Sequence, residues 1–442
     1  MALAVMPAGP ATLPHGDLRG SDPVRDSHVA AAPRRLTLWF TVRPQLPFSK
    51  IRLVGALGDV ALGKLATDTG NAVRADVVGA MADGTYKVVW QTASSDGHPI
   101  TGEYAFTVGA AVTAAVTAAA SGTVQTAAPP PTAVASAPPP ASMRVVRLWE
   151  FIGLLVVLGV IVFVHGVLPP LAARGVSTAD ISHQARGLGE IAAVIYVLAA
   201  LFRLLRQAIS AGAGGDASLA TLTDIVTRSG WGNGWLIGVV GAVFVIIGFW
   251  LSMRRARAGT PMALTGALAM TLAPALSGHA AAAQLFIPSV TLDALHVASI
   301  GAWIGTLSVV LLVGIPAMAR VEDGNADAAV SALVNSFHPI ALMAAPLAVL
   351  SGLGSSVLRL GSFDALTSSR FGQVLVIKLV VVALVASFGA WNSMRSRRRL
   401  GTPSATRSIR RTALTEVALA VLVLWATTEL VATPVPTELL RP

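Results

Sequence analysis

The stretch LWEFIGLLVVLGVIVFVHGVLPPL, from Leu148 to Leu171, decides the fold of this chain. It is almost entirely apolar and is long enough for a helix that crosses a bilayer, which takes ~20 residues. Seven further runs of similar length follow it. The predicted spans are 148–171, 188–206, 234–253, 261–280, 290–313, 337–358, 372–394 and 413–433. The sequence therefore predicts an all-α polytopic membrane bundle of about eight transmembrane helices.

The composition of the chain supports a membrane protein. Of its 442 residues, 54% are hydrophobic and 12% are charged, whereas soluble domains carry roughly 25% charged residues. A net charge of +10 would suit a nucleic-acid partner, but the arginines concentrate in short loops between apolar runs. We therefore predict no nucleic-acid partner. The chain has no cysteine, which excludes disulfides, thiolate metal sites and cysteine nucleophiles.

The loop charges predict the orientation of the helices. Arginines are dense in 254–257, after the third span, and in 395–411, between the seventh and eighth spans. An eight-span chain places both loops on one side, which the positive-inside rule makes cytoplasmic. Both termini then lie outside the cell's inner (plasma) membrane, so the domain that precedes the bundle is extracytoplasmic.

Four segments are predicted along the chain. Residues 1–14 look like the end of a secretory signal peptide whose start is missing, and a disordered tail is the alternative. Residues 15–109 form a polar domain of mixed sequence. Residues 110–143 are an Ala/Pro-rich linker, and residues 144–436 form the membrane domain.

The polar domain has the alternation of β-strands. Leu36, Leu38 and Phe40 alternate with more polar neighbours, and so do the apolar residues of 104–108. Period-two patterning that is interrupted by Gly, Pro and Asp turns is typical of a small all-β sandwich.

Three residues of this domain are candidate metal ligands. Asp96 and His98 lie in a Gly-containing turn between two predicted strands, where both side chains can reach one ion. An ordinary polar turn is the alternative reading. If cleavage occurs before His15, its freed amine and its imidazole can chelate Cu(II), which favours nitrogen ligands in a tetragonal arrangement.

The residues that carry a family resemblance cover nearly all of 15–109. They are His15-Gly16-Asp17-Leu18, Ser21-Asp22-Pro23, Ala31-Ala32-Pro33-Arg34-Arg35-Leu36-Thr37-Leu38, Gly84-Thr85-Tyr86, Trp90, and Ser94-Ser95-Asp96-Gly97-His98-Pro99 with Gly102 and Phe106-Thr107-Val108. This pattern resembles the CopC copper-binding domain. The resemblance implies a secreted, Ig-like β-sandwich in which His15, Asp96 and His98 bind Cu(II). The Met-rich Cu(I) motif of some family members is absent.

Ionisable residues inside the spans are the second set of candidates, because charge is costly in a bilayer and is usually functional there. Asp293 and His296 share one face near the outer end of the fifth span, and His279 closes the fourth span at the same level. Lys378 enters the seventh span from the same side, although it could simply extend to the interface. These four residues form a possible membrane path for copper.

A further group lies toward the cytoplasmic side. Its members are His165, His183, Glu190, His338 and Glu416, with methionines at positions 262, 270 and 343 as possible soft ligands. His183 and His338 could equally be helix-end residues that face lipid headgroups.

The membrane segment also resembles a family over roughly 145–436. The residues that carry this resemblance are Leu295-His296-Val297-Ala298-Ser299-Ile300-Gly301-Ala302-Trp303-Ile304-Gly305, Ser277-Gly278-His279-Ala280-Ala281, Phe371-Gly372-Gln373-Val374-Leu375-Val376-Ile377-Lys378 and Ala432-Thr433-Pro434. They look like the CopD copper-resistance membrane domain, and fused CopC–CopD chains are a known arrangement. The resemblance implies passage of copper across the inner membrane, usually inward, with His279 and His296 as the residues carried over.

These observations predict copper binding and transport, with copper ions and the lipid bilayer as partners and envelope copper chaperones as possible further partners. No Walker loop, zinc-protease motif or dinucleotide-binding motif is present, so we predict a protein that is not an enzyme. Two alternatives stay open. One is an envelope copper chaperone that does not transport; the other is a membrane haem or redox protein with histidine axial ligands.

Overall fold

A computed structural model describes residues 18–41, 43–67, 71–93, 99–109, 141–211, 217–278, 280, 283, 285–320, 326–397, 403–433 and 435. The chain separates into two compact units, the first with the β-strands and the second with the long helices. The fold class predicted from the sequence is confirmed in both units.

The first unit contains two β-sheets. Its strands are β1 Leu18–Asp22, β2 His28–Val29, β3 Arg35–Phe40, β4 Lys50–Gly55, β5 Gly58–Val60, β6 Ala66–Thr67, β7 Ala72–Asp76, β8 Gly84–Ala93 and β9 Pro99–Val108. One sheet has the order β1-β3-β7-β6 and the other the order β2-β9-β8-β4-β5. Pairing is antiparallel except between β2 and β9.

The two sheets enclose a single apolar core. The predicted inward residues Leu36, Leu38 and Phe40 are buried on β3, and Phe106 is buried on β9. The ring of Phe40 meets that of Trp90 edge to face, with centroids 5.0 Å apart. Alternation places one face of each strand in this core, which is why the period-two pattern located it.

The second unit contains, within its described residues, eight helices that are long and apolar enough to cross a membrane. They are α1 Ala141–Ala172, α2 Ala179–Ala211, α3 Gly230–Met253, α4 Gly259–Leu276, α5 Phe286–Met318, α6 Ala326–Leu360, α7 Arg370–Arg397 and α8 Pro403–Ala432. Two short helices, Leu219–Arg228 and Ala365–Ser368, precede α3 and α7.

All eight predicted spans overlap these helices, and several of the helices extend beyond their spans. The helices α1, α2 and α6 begin well before their apolar runs, because helical hydrogen bonding continues through the polar residues that flank a span. The helix α4 ends at Leu276 rather than at residue 280. His279, which was expected to close it, lies outside the described residues.

The helices form two halves, α1–α4 and α5–α8, that repeat one arrangement. The first helix of each half contains a π-helical segment directly before its last turn, Phe163–Val167 in α1 and Val310–Gly314 in α5, and α5 contains a further one at Gly301–Gly305. Each of these helices also ends in a proline-containing turn. The last helix of each half packs on the first helix of the other, α4 on α5 and α8 on α1.

The halves meet where α1 crosses α5. A Cβ added to Gly159 would lie 2.1 Å from the backbone carbon of Gly305, and one added to Gly305 would lie 2.0 Å from the Leu155 carbonyl oxygen. Each glycine stands eleven residues before a proline, Pro170 or Pro316. The shared spacing and the reciprocal contact are typical of an internal duplication.

Candidate functional site

The turn that carries two predicted ligands connects the two longest strands of the β-unit. The strands β8 and β9 pair antiparallel up to Ala93 opposite Pro99, and residues 94–98 link them in the sequence. Asp96 and His98 are in this connection and lie outside the described residues. Their ligand roles therefore stay a prediction.

The strand end before this turn is firmly anchored. The hydroxyls of Thr92 and Ser49 are hydrogen bonded at 2.7 Å in a buried position. The backbone amide of Gln45 donates to the Ala93 carbonyl at 3.1 Å. Because β8 is anchored on its last two residues, the turn starts from a fixed point.

The start of β1 lies at the same end of this unit. Leu18 pairs with Phe40, whose ring contacts Trp90 near the end of β8. His15, three residues before Leu18, lies outside the described residues. The chain thus enters β1 close to where β8 leads into the turn, which is the geometry that ligands from both segments would need.

In the membrane unit, Asp293 of α5 contacts two side chains of α6. The Ser355 hydroxyl donates to one carboxylate oxygen at 2.8 Å, and the Arg359 guanidinium donates to the other. Both of these groups are largely buried. The Asp293 carboxylate therefore joins α5 to α6 as one side of a buried ion pair.

His296 lies one turn further along α5 and contacts α6 through its ring. Its Nδ1 donates to the Ala348 carbonyl oxygen at 2.7 Å. A carbonyl can only accept, so the proton is on Nδ1, and in the neutral imidazole Nε2 carries the lone pair. Gly352 borders the ring so closely that a Cβ there would lie 2.7 Å from Cε1.

Lys378 of α7 is the third predicted residue that belongs to this group. It is half-buried and interacts electrostatically with Asp293, His296 and Arg359. The structure thus brings together three of the four residues of the predicted membrane path, while His279 lies outside the described residues. The cluster thus contains two basic side chains, Arg359 and Lys378, and one carboxylate, that of Asp293.

The predicted cytoplasmic-side group is more dispersed. His165 lies at the centre of the π-helical segment of α1 and interacts electrostatically with Arg186 of α2. Glu190 interacts electrostatically with His183, two helical turns earlier, and its buried Oε1 has no hydrogen-bond partner among the described residues. Of the methionines, Met270 is fully buried, whereas Met343 is 76% exposed, so these two lie in different environments.

Sequence reasoning missed two components. Arg359 lies one residue beyond the predicted span 337–358 and was not among the candidates, although it is the partner of Asp293. Glu150 and Arg203, each inside a predicted span, form a second buried ion pair between α1 and α2. The signal was available, because any ionisable residue within an apolar run is a functional candidate.

Among the residues that the structure describes, no three His, Asp or Glu side chains are grouped so that they could hold a metal ion. Four predicted copper ligands, His15, Asp96, His98 and His279, fall outside those residues. The two copper sites consequently remain predictions, and the structure describes only residues that lie near them.

Family models match three parts of the chain. The model described as the CopC domain matches residues 18–109. The model of the copper resistance protein D-like N-terminal domain matches residues 138–284, and that of copper resistance protein D matches residues 331–430.

Two relatives are similar over different lengths. The copper transport protein CutJ of Bacillus subtilis (strain 168) is 24% identical over 434 residues, which cover 96% of this chain and 75% of that protein. Copper resistance protein C of Escherichia coli is 34% identical over 113 residues, covering 24% of this chain and 89% of that protein.

Two solved structures match the first unit. CopC from Methylosinus trichosporium OB3b is 30% identical, with a TM-score of 0.20, over 22% of this chain and 94% of that one. PcoC, a methionine-rich copper resistance protein from Escherichia coli, is 35% identical, with a TM-score of 0.20, over 22% of this chain and 99% of that one.

Proposed function

This chain belongs to the copper-resistance family in which a CopC domain is followed by the two parts of a CopD membrane domain, and from that premise we propose that it binds copper outside the bacterial inner membrane and transports it inward. The family assigns a copper-related function to a multi-pass membrane protein. Capture outside and passage inward are the steps proposed here.

The CopC domain captures Cu(II) with His15, Asp96 and His98. The fixed end of β8 and the nearby start of β1 support this assignment, because they bring the two ligand-bearing segments to one end of the domain. The linker of residues 110–143 keeps the captured ion near the bundle and so raises its local concentration there. Envelope copper chaperones would supply this domain.

His296 is the observation that carries the membrane part of the proposal. Its Nδ1–H bond to the Ala348 carbonyl fixes the tautomer in which Nε2 is free to bind a metal. Metal-binding histidines characteristically donate their other ring N–H to a carbonyl or carboxylate in this way. An imidazole oriented by a backbone bond within an apolar helix is thus suited to receive copper, together with His279.

The charges around His296 set a condition for this step. Arg359 and Lys378 oppose a cation, and Asp293 is occupied by Arg359 and Ser355. Copper would have to compete with Arg359 and Ser355 for the Asp293 carboxylate. The membrane potential favours inward movement of a cation by ~2.3 kcal/mol per charge per 100 mV.

Copper uptake by the full-length protein in proteoliposomes tests the function. We expect the wild type to accumulate copper, His296→Ala to lose accumulation while keeping external Cu(II) binding, and His98→Ala to lose the external binding. His28→Ala is the matched control, because His28 is an exposed histidine of the same domain. Copper binding without accumulation would instead indicate a chaperone, and a haem absorbance band would indicate a redox protein.

A further inference from the structure

The first half of the bundle contains a second buried ion pair, which joins the first and second helices of that half as the Asp293–Arg359 pair joins those of the second half. Glu150 near the outer end of α1 accepts a hydrogen bond from Arg203 near the outer end of α2. The Glu150 side chain is 8% exposed and that of Arg203 is 13% exposed. Buried ion pairs rarely add stability over apolar packing, so a functional reason should be sought.

The Glu150–Arg203 pair faces a small cavity between α1, α2, α3 and α4. Its polar lining consists of Glu150, Tyr196, Arg203, Trp235 and Ser277, and the remaining lining is apolar. The space is of the order of one water molecule. The second half differs, because there the imidazole of His296 and the amine of Lys378 lie near the ion pair and could supply nitrogen ligands.

Arg203 has a second partner that does not depend on Glu150. Its guanidinium lies over the ring of Trp231, 5.3 Å from the centroid. Trp235 of the same helix donates from Nε1 to the Ala200 carbonyl at 2.8 Å and so fixes α3 against α2. Arg203 can therefore move away from Glu150 and still keep a favourable cation–π contact.

The polar groups that line the cavity and its small size determine which ligand it could bind. The acceptors beside Arg203 are oxygens only, which soft Cu(I) does not prefer. A hydrated metal cation needs several ligands and more space, and it would sit against the positive charge of Arg203. A proton needs no space and binds directly to a carboxylate.

We propose that Glu150 is a proton-binding site that couples proton movement to the copper transport proposed above. At rest the Arg203 guanidinium is paired with the Glu150 carboxylate. When Arg203 shifts toward Trp231, the carboxylate takes up one proton to become the neutral acid, and the pair changes from a net charge of zero to +1. Return of Arg203 releases the proton, so that proton binding depends on conformation.

The charged and titratable described groups around Glu150 fit this role. Tyr196 and Arg203 face it from α2, and Arg147 precedes it by one turn on α1. The described cavity lining from α3 and α4 carries no charge. The proton therefore has one carboxylate to bind, and the position of Arg203 governs its availability.

Infrared difference spectroscopy of the full-length protein tests proton binding without reference to transport. We expect acidification to produce a band of a protonated buried carboxylic acid that is missing in Glu150→Gln. Glu429→Gln is the matched control, because Glu429 is also paired with arginines, Arg144 and Arg370, but does not line the cavity. An unchanged band in Glu150→Gln would overturn the proposal.

Copper flux in proteoliposomes tests the coupling, with the membrane potential clamped. For one proton per copper ion, a tenfold proton gradient sustains a copper gradient of up to about tenfold, because the two gradients are worth the same free energy. We expect this response in the wild type and in Glu429→Gln and its loss in Glu150→Gln. A full response in Glu150→Gln refutes the coupling, whereas a wild type that moves no copper refutes transport itself.

Discussion

The orientation of His296 depends on a neighbour that has no side chain. Gly352 lets the imidazole approach α6 closely enough to donate to the Ala348 carbonyl. Orienting partners of this kind change metal affinity or activity by about 10–100-fold when they are altered. The position is thus a sensitive probe of the proposed copper site.

We expect Gly352→Ala to lower copper uptake by about tenfold or more. The added Cβ would lie 2.7 Å from the ring, so the imidazole must move and lose its bond to Ala348. Gly354→Ala is the control, because its Cβ would meet only the flexible side chain of Leu292, at 3.2 Å. Uptake in proteoliposomes is the measurement, and equal uptake in both variants would contradict the assigned role of His296.

Tyr104 predicts how the CopC domain responds to alkaline pH. Burial raises the pKa of Tyr104 from 10.0 to about 12, so the fold favours the neutral phenol. Its contribution to stability is fully present below pH 10 and is lost as the pH rises from 10 to about 12. Below pH 10 the phenol is neutral in both the folded and the unfolded chain, so no pH dependence arises from it there.

We expect Tyr104→Phe to make the free energy of unfolding fall less steeply between pH 10 and 12 than in the wild type. The difference in slope is at most about 1.4 kcal/mol per pH unit for one group. Urea unfolding followed by near-ultraviolet circular dichroism at several pH values measures it. Identical slopes for the two proteins would show that Tyr104 does not titrate in this way.

At the scale of elements, Gly102 of β9 leaves space for the largest core residue. It pairs with Trp90 of β8, and a Cβ there would lie 2.5 Å from the indole ring. The indole is confined between this strand and Phe40. The ring therefore has little freedom to move aside.

We expect Gly102→Ala to lower the free energy of unfolding of the CopC domain by about 1–3 kcal/mol, the usual cost of overpacking. Gly20→Ala is the control, because its Cβ would be 3.7 Å from Trp39, an ordinary contact. Urea unfolding compares the two variants. Equal stability would mean that the pair formed by Gly102 and Trp90 relaxes without cost.

The helices and strands were the part of this structure that the sequence predicted best. Apolar runs located all eight spans, and alternation at Leu36, Leu38 and Phe40 identified the inner face of β3. Boundaries were less accurate, because a helix such as α2 continues into its polar flank from Ala179 as long as its backbone hydrogen bonds are maintained. Hydropathy indicates which residues are apolar enough to lie in lipid, but it does not indicate where a helix begins or ends.

For the whole molecule, the crossing of α1 and α5 is a point of close backbone contact between the two halves. The backbone at Gly159 and Gly305 leaves no space for a methyl group. Neighbouring atoms there belong to the main chain and cannot rotate away. Small residues allow this close approach in membrane bundles, where packing rather than the hydrophobic effect joins helices.

We expect Gly159→Ala to lower the thermal unfolding midpoint of the purified protein and to reduce copper uptake. Each kcal/mol lost corresponds to about 2–4 °C for a domain of this size class. Gly187→Ala is the control, because a Cβ at that position of α2 meets nothing within 4 Å. A Gly159→Ala protein with the stability of the wild type would show that the halves are not in close contact.

Long-range partners could not be predicted from the sequence. Arg203 lies 53 residues from Glu150, and Arg359 lies 66 residues from Asp293. Such pairs depend on which helices become neighbours, and hydropathy does not determine that. The repeat of a glycine eleven residues before a proline was visible in α1 and α5, but its meaning depends on the contact between the two glycines.

The reciprocal contact between Gly159 and Gly305 also bears on ancestry. In a symmetric homodimer, a residue on the two-fold axis meets its own copy. Two fused copies of one four-helix unit would keep this contact as a meeting of equivalent residues. A present-day protein with a single such unit should therefore assemble as a pair through the same glycine, and fusion would have freed each copy to acquire different polar residues.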